Sequence, residues 1–201
     1  MIGMLVSGIY VISGVLISLY LKKKTGDNFV TRKFLHIAMA SWWFIRLKFL
    51  DNPYLWIGPV VFIAITFFYA QAYNCKKGIM YFNISLAVLT FLTTKYEKPI
   101  FPSTAAILVL GYADPLAALM GRYYQNLTNK VHRKSILGSV VFTIVTSVIL
   151  IALHLPQIEF ANVVIYIGEA MATALCEMYL FPEYDNIVIP GIVFLISVLI
   201  G

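Results

Sequence analysis

Eight apolar runs, each parted from the next by a short polar stretch, constrain this chain more than any other feature. They cover residues 1–21, 34–50, 53–73, 79–94, 104–124, 136–154, 160–180 and 187–200. A helix that crosses a bilayer needs about 20 apolar residues, so most runs have spanning length while the second and the last are short. With 201 residues, 61% hydrophobic and 12% charged, no sizeable soluble domain fits beside them. The expected fold is all-α: a polytopic membrane helix bundle of about seven to nine helices, one integral-membrane domain over residues 1–201. The first run lacks a basic leader and a small-residue cleavage site before Lys22, Lys23 and Lys24, and reads as an anchor.

Eight crossings divide the charges unevenly. Lys22, Lys23, Lys24, Arg32, Lys33, Lys76, Lys77, Arg122, Lys130, Arg133 and Lys134 fall on one side, and Arg46, Lys48, Lys95 and Lys98 on the other. The positive-inside rule makes the richer side cytoplasmic, with both termini outside. The net charge of +6 is spread over membrane loops, which favours anionic headgroups or a polyphosphate over nucleic acid. Cys75 and Cys176 have no zinc or disulfide spacing, and Cys176 reads as a small packing residue. Sequons at Asn83 and Asn126 are chance matches, one inside an apolar run and one on the cytoplasmic side.

Asp114 stands out because it sits midway along the fifth run. A carboxylate at that depth is costly and must face a bundle interior, a partner or water, so it is a functional candidate by default. Three further cytoplasm-facing groups accompany it: Arg32, Lys33 and His36 at the start of the second run; Lys134, Ser135, Gly138 and Ser139 opening the sixth; and Glu177, Asp185, Asn186 and Pro190 around the last cytoplasmic loop. Arg122 follows Asp114 by eight residues, near the end of the same run. The cations suit phosphate oxygens. Ser135, Gly138 and Ser139 lie at a helix N-terminus, where unpaired N–H groups favour an anion. Asp114, Glu177 and Asp185 are hard oxygen donors suited to Mg²⁺. Each group alone has an ordinary reading as a topology signal, a turn or a helix boundary; their placement on one side is what joins them. Ala113, Ala117 and Gly121 form a small-residue stripe that suits close helix packing, as do Gly168 and Ala172 beside Glu169.

In this order the four groups resemble the phytol, farnesol and dolichol kinase family, multi-pass enzymes that phosphorylate lipid alcohols with CTP. CTP-dependent diacylglycerol kinase and, more distantly, phosphatidate cytidylyltransferase are related. The family pattern is Arg-Lys with a nearby His, Gly-Asp leading to Gly-Arg, Lys-Ser/Thr-x-x-Gly-Ser/Thr, and a late Glu followed by Asp-Asn and Pro; it spans residues 31–190 here. Ala113 stands where the family has Gly, Ala118 where phytol kinases carry a second acid, Gln125 where Gly is common, and Leu137 where a small residue or Glu is usual.

The resemblance implies γ-phosphoryl transfer from CTP or another nucleoside triphosphate to a lipid alcohol such as phytol, a polyprenol or diacylglycerol. Mg²⁺ or Mn²⁺ would be held by Asp114, Glu177 and Asp185. Asp114, Lys134, Asp185 and His36 would be catalytic, with Asp185 and His36 both open as the proton acceptor. Arg32, Lys33, Arg122, Lys134, Ser135, Gly138, Ser139 and Asn186 would bind nucleotide. The site would face the cytoplasm, with membrane lipids around it and homo-oligomerisation left open. Two alternatives remain: a cytidylyltransferase acting on a lipid phosphate, and a proton- or cation-coupled transporter using Asp114 and Glu169. Neither a P-loop nor a protein-kinase signature is present.

Overall fold

The computed structural model describes residues 2–49, 52, 54–72, 78–96, 100–128, 134–155, 159–179 and 184–200, with backbone alone at 69, 70, 72 and 79. Lys76, Lys77, Lys98, Lys130, Arg133 and Cys75 lie outside them. Among the described residues the chain is all-helical: α1 (Ile2–Thr25), α2 (Asn28–Lys48), α3 (Ile57–Ala72), α4 (Gly78–Lys95), α5 (Ile100–Thr128, with a π turn at Val109–Ala113), α6 (Ile136–His154), α7 (Phe160–Tyr179) and α8 (Asp185–Ile200). Each expected apolar run corresponds to one of these eight helices. Four of them, α1, α5, α6 and α7, are long and apolar enough to cross a membrane.

The second run starts earlier than its hydropathy indicates. Gly26, at φ 65°, ends α1 in the left-handed region that glycine tolerates. Asp27 then caps α2, its Oδ1 accepting from the N–H groups of Phe29 (2.8 Å) and Val30 (3.4 Å). Arg32, Lys33 and His36 therefore lie in the first turns of α2 rather than in the loop before it. Asp27 is also gripped by Arg122 of α5 (2.7 Å). Partial burial pulls its carboxyl upward, but the Phe29 N–H, the Arg122 guanidinium and the Val30 N–H outweigh this and hold it below its ordinary 3.8. Its stabilising effect is therefore complete above that value and fades as pH falls through the lowered one. Asp27→Ala is expected to cost about 1 kcal/mol at neutral pH through the lost cap. Thermal unfolding should show the gap from the parent protein narrowing at strongly acid pH.

The bundle is built around α2 and α5. The spanning window of α5 is 72% buried, against 22–28% for α1, α6 and α7. Trp42 and Trp43 of α2 are fully enclosed, their indole N–H groups donating to Ser7 of α1 (2.6 Å) and Thr104 of α5 (2.9 Å). Helix contacts of this kind suit an interior where apolar burial alone does not distinguish neighbours. The outer face of α1 presents Ile9, Ile12 and Leu16, that of α6 Ile144 and Val148, and that of α7 Val164 and Met171. Arg46, counted among loop charges by sequence, is buried at the far end of α2 and donates to the Thr93 carbonyl (3.3 Å) and the Thr94 hydroxyl (3.2 Å) of α4. Asn83 is likewise buried, donating to the Thr66 hydroxyl (3.0 Å), in keeping with a sequon that matches by chance.

Candidate functional site

The antiparallel succession of helices brings the start of α2, the second half of α5, the start of α6, the end of α7 and the start of α8 to one end of the bundle. They enclose a cavity of about 390 Å³. Twelve of the residues singled out from the sequence line it: Arg32, Lys33, His36, Asp114, Arg122, Lys134, Ser135, Gly138, Ser139, Glu177, Asp185 and Asn186. Glu169 is elsewhere, between α7 and α8, accepting from the Ser197 hydroxyl (3.0 Å).

Asp114 reaches the cavity through the π turn. Its backbone N–H bonds the carbonyl of Val109, one residue further back than an α-helix allows. Gly111 within this turn touches α2 so closely that a Cβ there would stand 1.9 Å from the Ala40 Cβ. Tyr112 and Ser41 share a hydrogen bond across the same contact (2.7 Å). Held this way, the Asp114 Oδ2 accepts from Lys33 Nζ at 2.6 Å and lies 3.7 Å from His36 Nδ1. The longer distance is too great for a hydrogen bond, and both nitrogens of buried His36 lack a partner among the described residues. The His36 ring stacks on Phe82 of α4 (4.8 Å between centroids).

Small residues bring α5 against the start of α6. A Cβ on Gly121 would meet the Ser135 Oγ at 2.8 Å, and one on Gly138 would meet the Ala117 carbonyl at 3.0 Å. Gly138 is thus needed for helix contact as well as lying on the cavity wall. Ser135 caps α6, its Oγ accepting from the Gly138 N–H (3.0 Å). The Ser139 Oγ is buried without a hydrogen-bond partner among the described residues.

Lys134 joins α6 to α7 and α8. Its ammonium contacts the Glu177 carboxylate (2.7 Å), the Asp185 Oδ2 (2.9 Å) and the Glu177 backbone carbonyl. Asn186 donates to the Gly78 carbonyl at the start of α4 (2.7 Å). Pro190 has no N–H to offer the carbonyl four residues back, and that carbonyl, Asn186 O, accepts from the Ser85 hydroxyl instead (2.7 Å). Asn186 therefore clasps α8 to α4. At the mouth, Phe29 carries the guanidinium groups of Arg122 (4.9 Å) and Arg32 (5.9 Å) over its ring.

Four cations and three carboxylates thus line one cavity. The acids do not form a ready-made metal cage: no three of the His, Cys, Asp and Glu side chains are grouped to hold an ion among the described residues. Lys33 occupies Asp114, and Lys134 occupies Glu177 and Asp185. The donor chemistry nevertheless fits Mg²⁺ or Mn²⁺, which take one or two carboxylates and complete their shell with phosphate oxygens and water. The Asp185 Oδ1 is buried with no partner among the described residues. Sequence reasoning missed Asp27, Phe29, Gly111 and Ser85. The Gly26-Asp27 pair marks a helix stop and cap and was readable, and Pro190 inside a helix announces an orphan carbonyl at Asn186; Phe29 and Gly111 carry no such signal. The chain matches no family model, no curated protein and no solved structure.

Proposed function

We propose that this chain is a membrane-embedded kinase that moves the γ-phosphoryl group of CTP, or another nucleoside triphosphate, onto the hydroxyl of a lipid alcohol. One observation carries the reading. Four sequence groups separated by up to 154 residues (Arg32 to Asn186) meet on one cavity that combines cations, a capped helix N-terminus and carboxylates. Phosphoryl transfer asks mainly for positioning and charge neutralisation, and those are the groups that supply them. The apolar outer faces of α1, α6 and α7 suit acyl chains, and the abundance of Lys and Arg at the cavity's end of the bundle orients the site toward the cytoplasm.

Arg32, Lys33, Lys134 and Arg122 would bind the triphosphate oxygens, with the first turn of α6 offering N–H groups and the Ser139 hydroxyl. Asp114, Glu177 and Asp185 would hold Mg²⁺ or Mn²⁺, whose charge eases the approach of an alcohol to a polyanion. The alcohol oxygen bonds to the γ-phosphorus as the bond to the β-bridging oxygen breaks, and the nucleoside diphosphate leaves. The hydroxyl proton passes to Asp185 or His36, whose buried Oδ1 and ring nitrogens lack hydrogen-bond partners among the described residues. Asp114 and Glu169 would form a poor transport relay, since the first pairs with Lys33 and the second with Ser197.

Purified protein incubated with γ-labelled CTP, UTP, ATP or GTP and a series of lipid alcohols is expected to place label in the lipid. Label released as pyrophosphate would support a cytidylyltransferase, and nucleotide-independent uptake in proteoliposomes a transporter. Lys134→Met is expected to raise the nucleotide KM about 10- to 100-fold, the equivalent of losing one or two charge-assisted hydrogen bonds. Steady-state kinetics at saturating alcohol measures it, and an unchanged KM contradicts this role.

A further inference from the structure

The ammonium of Lys134 is surrounded in the way a metal ion is, by oxygens that converge from separate elements. An ammonium has three protons to donate, and here they meet three oxygens: the Glu177 carboxylate (2.7 Å), the Asp185 Oδ2 (2.9 Å) and the Glu177 backbone carbonyl. Lys33, by contrast, bonds a single oxygen of Asp114 among the described residues. Carboxylates and carbonyls gathered on one point are the donors that a hard divalent cation takes. The charges around Lys134 do not balance. One ammonium faces two carboxylates, so with both acids ionised a surplus negative charge stays among side chains that are only 8–13% exposed. Uncompensated charge is costly in such a place, and a divalent cation would cancel it where an ammonium does not. A fourth oxygen is spare. Asp185 lines the cavity at 6% exposure, and its Oδ1 is buried with no partner among the described residues. Lys134 itself stands one residue before the Ser135 cap, outside α6, on a flexible four-carbon stem that can swing without unwinding the helix.

We infer that the Glu177 and Asp185 oxygens form a divalent-cation site that fills before any nucleotide arrives, with Lys134 as its resident stand-in. The ammonium gives way to the ion and turns toward the first turn of α6, whose N–H groups are suited to phosphate. Asp114, bonded to Lys33, is not part of this first site. The inference rests on the kinase reading for the destination of the ammonium, while the cation site itself does not. Metal and nucleotide then bind in order, metal first, since a triphosphate arriving earlier meets the surplus negative charge of the two acids. Lys134 also acquires opposite effects on two ligands: it competes with the metal and assists the nucleotide. A lysine that only ties α6 to α7 and α8 would, on removal, loosen the acid pair and weaken the binding of both.

The test titrates full-length protein in phosphatidylcholine nanodiscs with Mn²⁺ alone, and electron paramagnetic resonance reads the free ion. The parent protein is expected to bind Mn²⁺ saturably and to release it to excess Mg²⁺. Lys134→Met is expected to bind Mn²⁺ more tightly, on the order of tenfold. Glu177→Gln combined with Asp185→Asn should abolish the binding, and Glu169→Gln should match the parent protein. No Mn²⁺ bound by the parent protein, or binding in Lys134→Met no tighter than in the parent, overturns the inference. A second readout needs no substitution. Acetylation of Lys134 by acetic anhydride, followed by mass spectrometry, is expected to rise several-fold when Mn²⁺ is added, with Lys33 unchanged, and to fall again when CTP follows. Lys134 acetylation that does not respond to Mn²⁺ also overturns it. If Mn²⁺ frees Lys134 but no nucleotide binds, the kinase reading fails alone; if CTP binds and Mn²⁺ enters only together with it, the metal-first site fails alone.

Discussion

Asp114→Asn is expected to reduce kcat/KM for phosphoryl transfer on the order of 100-fold or more, the scale seen when a preorganised charge is removed from a reacting centre. The same change has a structural cost. Lys33 is buried and bonds Asp114 at 2.6 Å, and removing one partner of a buried ion pair leaves an uncompensated charge, worth roughly 3–5 kcal/mol. Loss of activity in the single variant therefore has two explanations, and the stability of the double variant Lys33→Met with Asp114→Asn isolates the structural one. Methionine matches the length of lysine and brings no charge, so the double variant should unfold near the temperature of the parent protein. It should nonetheless remain inactive. Recovered turnover in a well-folded double variant would show that Asp114 serves the fold and not the reaction.

Gly111→Ala is expected to act at a distance with an effect nearly as large. In an open helix the substitution would be favourable by about 1 kcal/mol. Here the new Cβ would sit 1.9 Å from the Ala40 Cβ and 3.3 Å from the Ala40 Cα, so α2 and α5 must separate. Overpacking of this kind costs about 1–3 kcal/mol. The two helices carry Lys33, His36 and Asp114, and a gap between them moves the carboxylate away from both partners. The expected result is a lower unfolding temperature together with lost turnover. The compensating variant Ala40→Gly with Gly111→Ala removes the clashing atom and should recover most of both. Failure of that rescue, with Gly111→Ala as stable as the parent protein, would mean that the π turn does not position Asp114.

Much of this arrangement was legible in the chain. Apolar runs broken by charges and prolines mark eight helices because apolar residues facing outward leave no polar periodicity to misread. The four polar groups could be assigned to one side from parity and charge. Their mutual contacts could not. Lys33 meets Asp114 across 81 residues and Lys134 meets Asp185 across 51, and spacing along a chain says nothing about which ammonium takes which carboxylate. Nor does spacing show that a lysine ammonium stands at each of the three acids named for a metal. The start of α2 was misjudged for a different reason. Hydropathy weighs Arg32 and Lys33 as loop, whereas Gly26 and Asp27 stop one helix and cap the next. The π turn is invisible because it depends on α2 lying against Gly111.

The central claim is that a nucleoside triphosphate seats in the cavity between α2, α5, α6 and α8. Equilibrium binding of labelled CTP to purified protein, with Mg²⁺ present and no lipid alcohol, tests it most directly. The expected result is saturable binding of one nucleotide per chain that weakens on Lys134→Met and on Arg32→Ala and is unaffected by Glu169→Gln. Binding of every nucleotide that is absent, or equally strong in the parent protein and in both cavity variants, would contradict it.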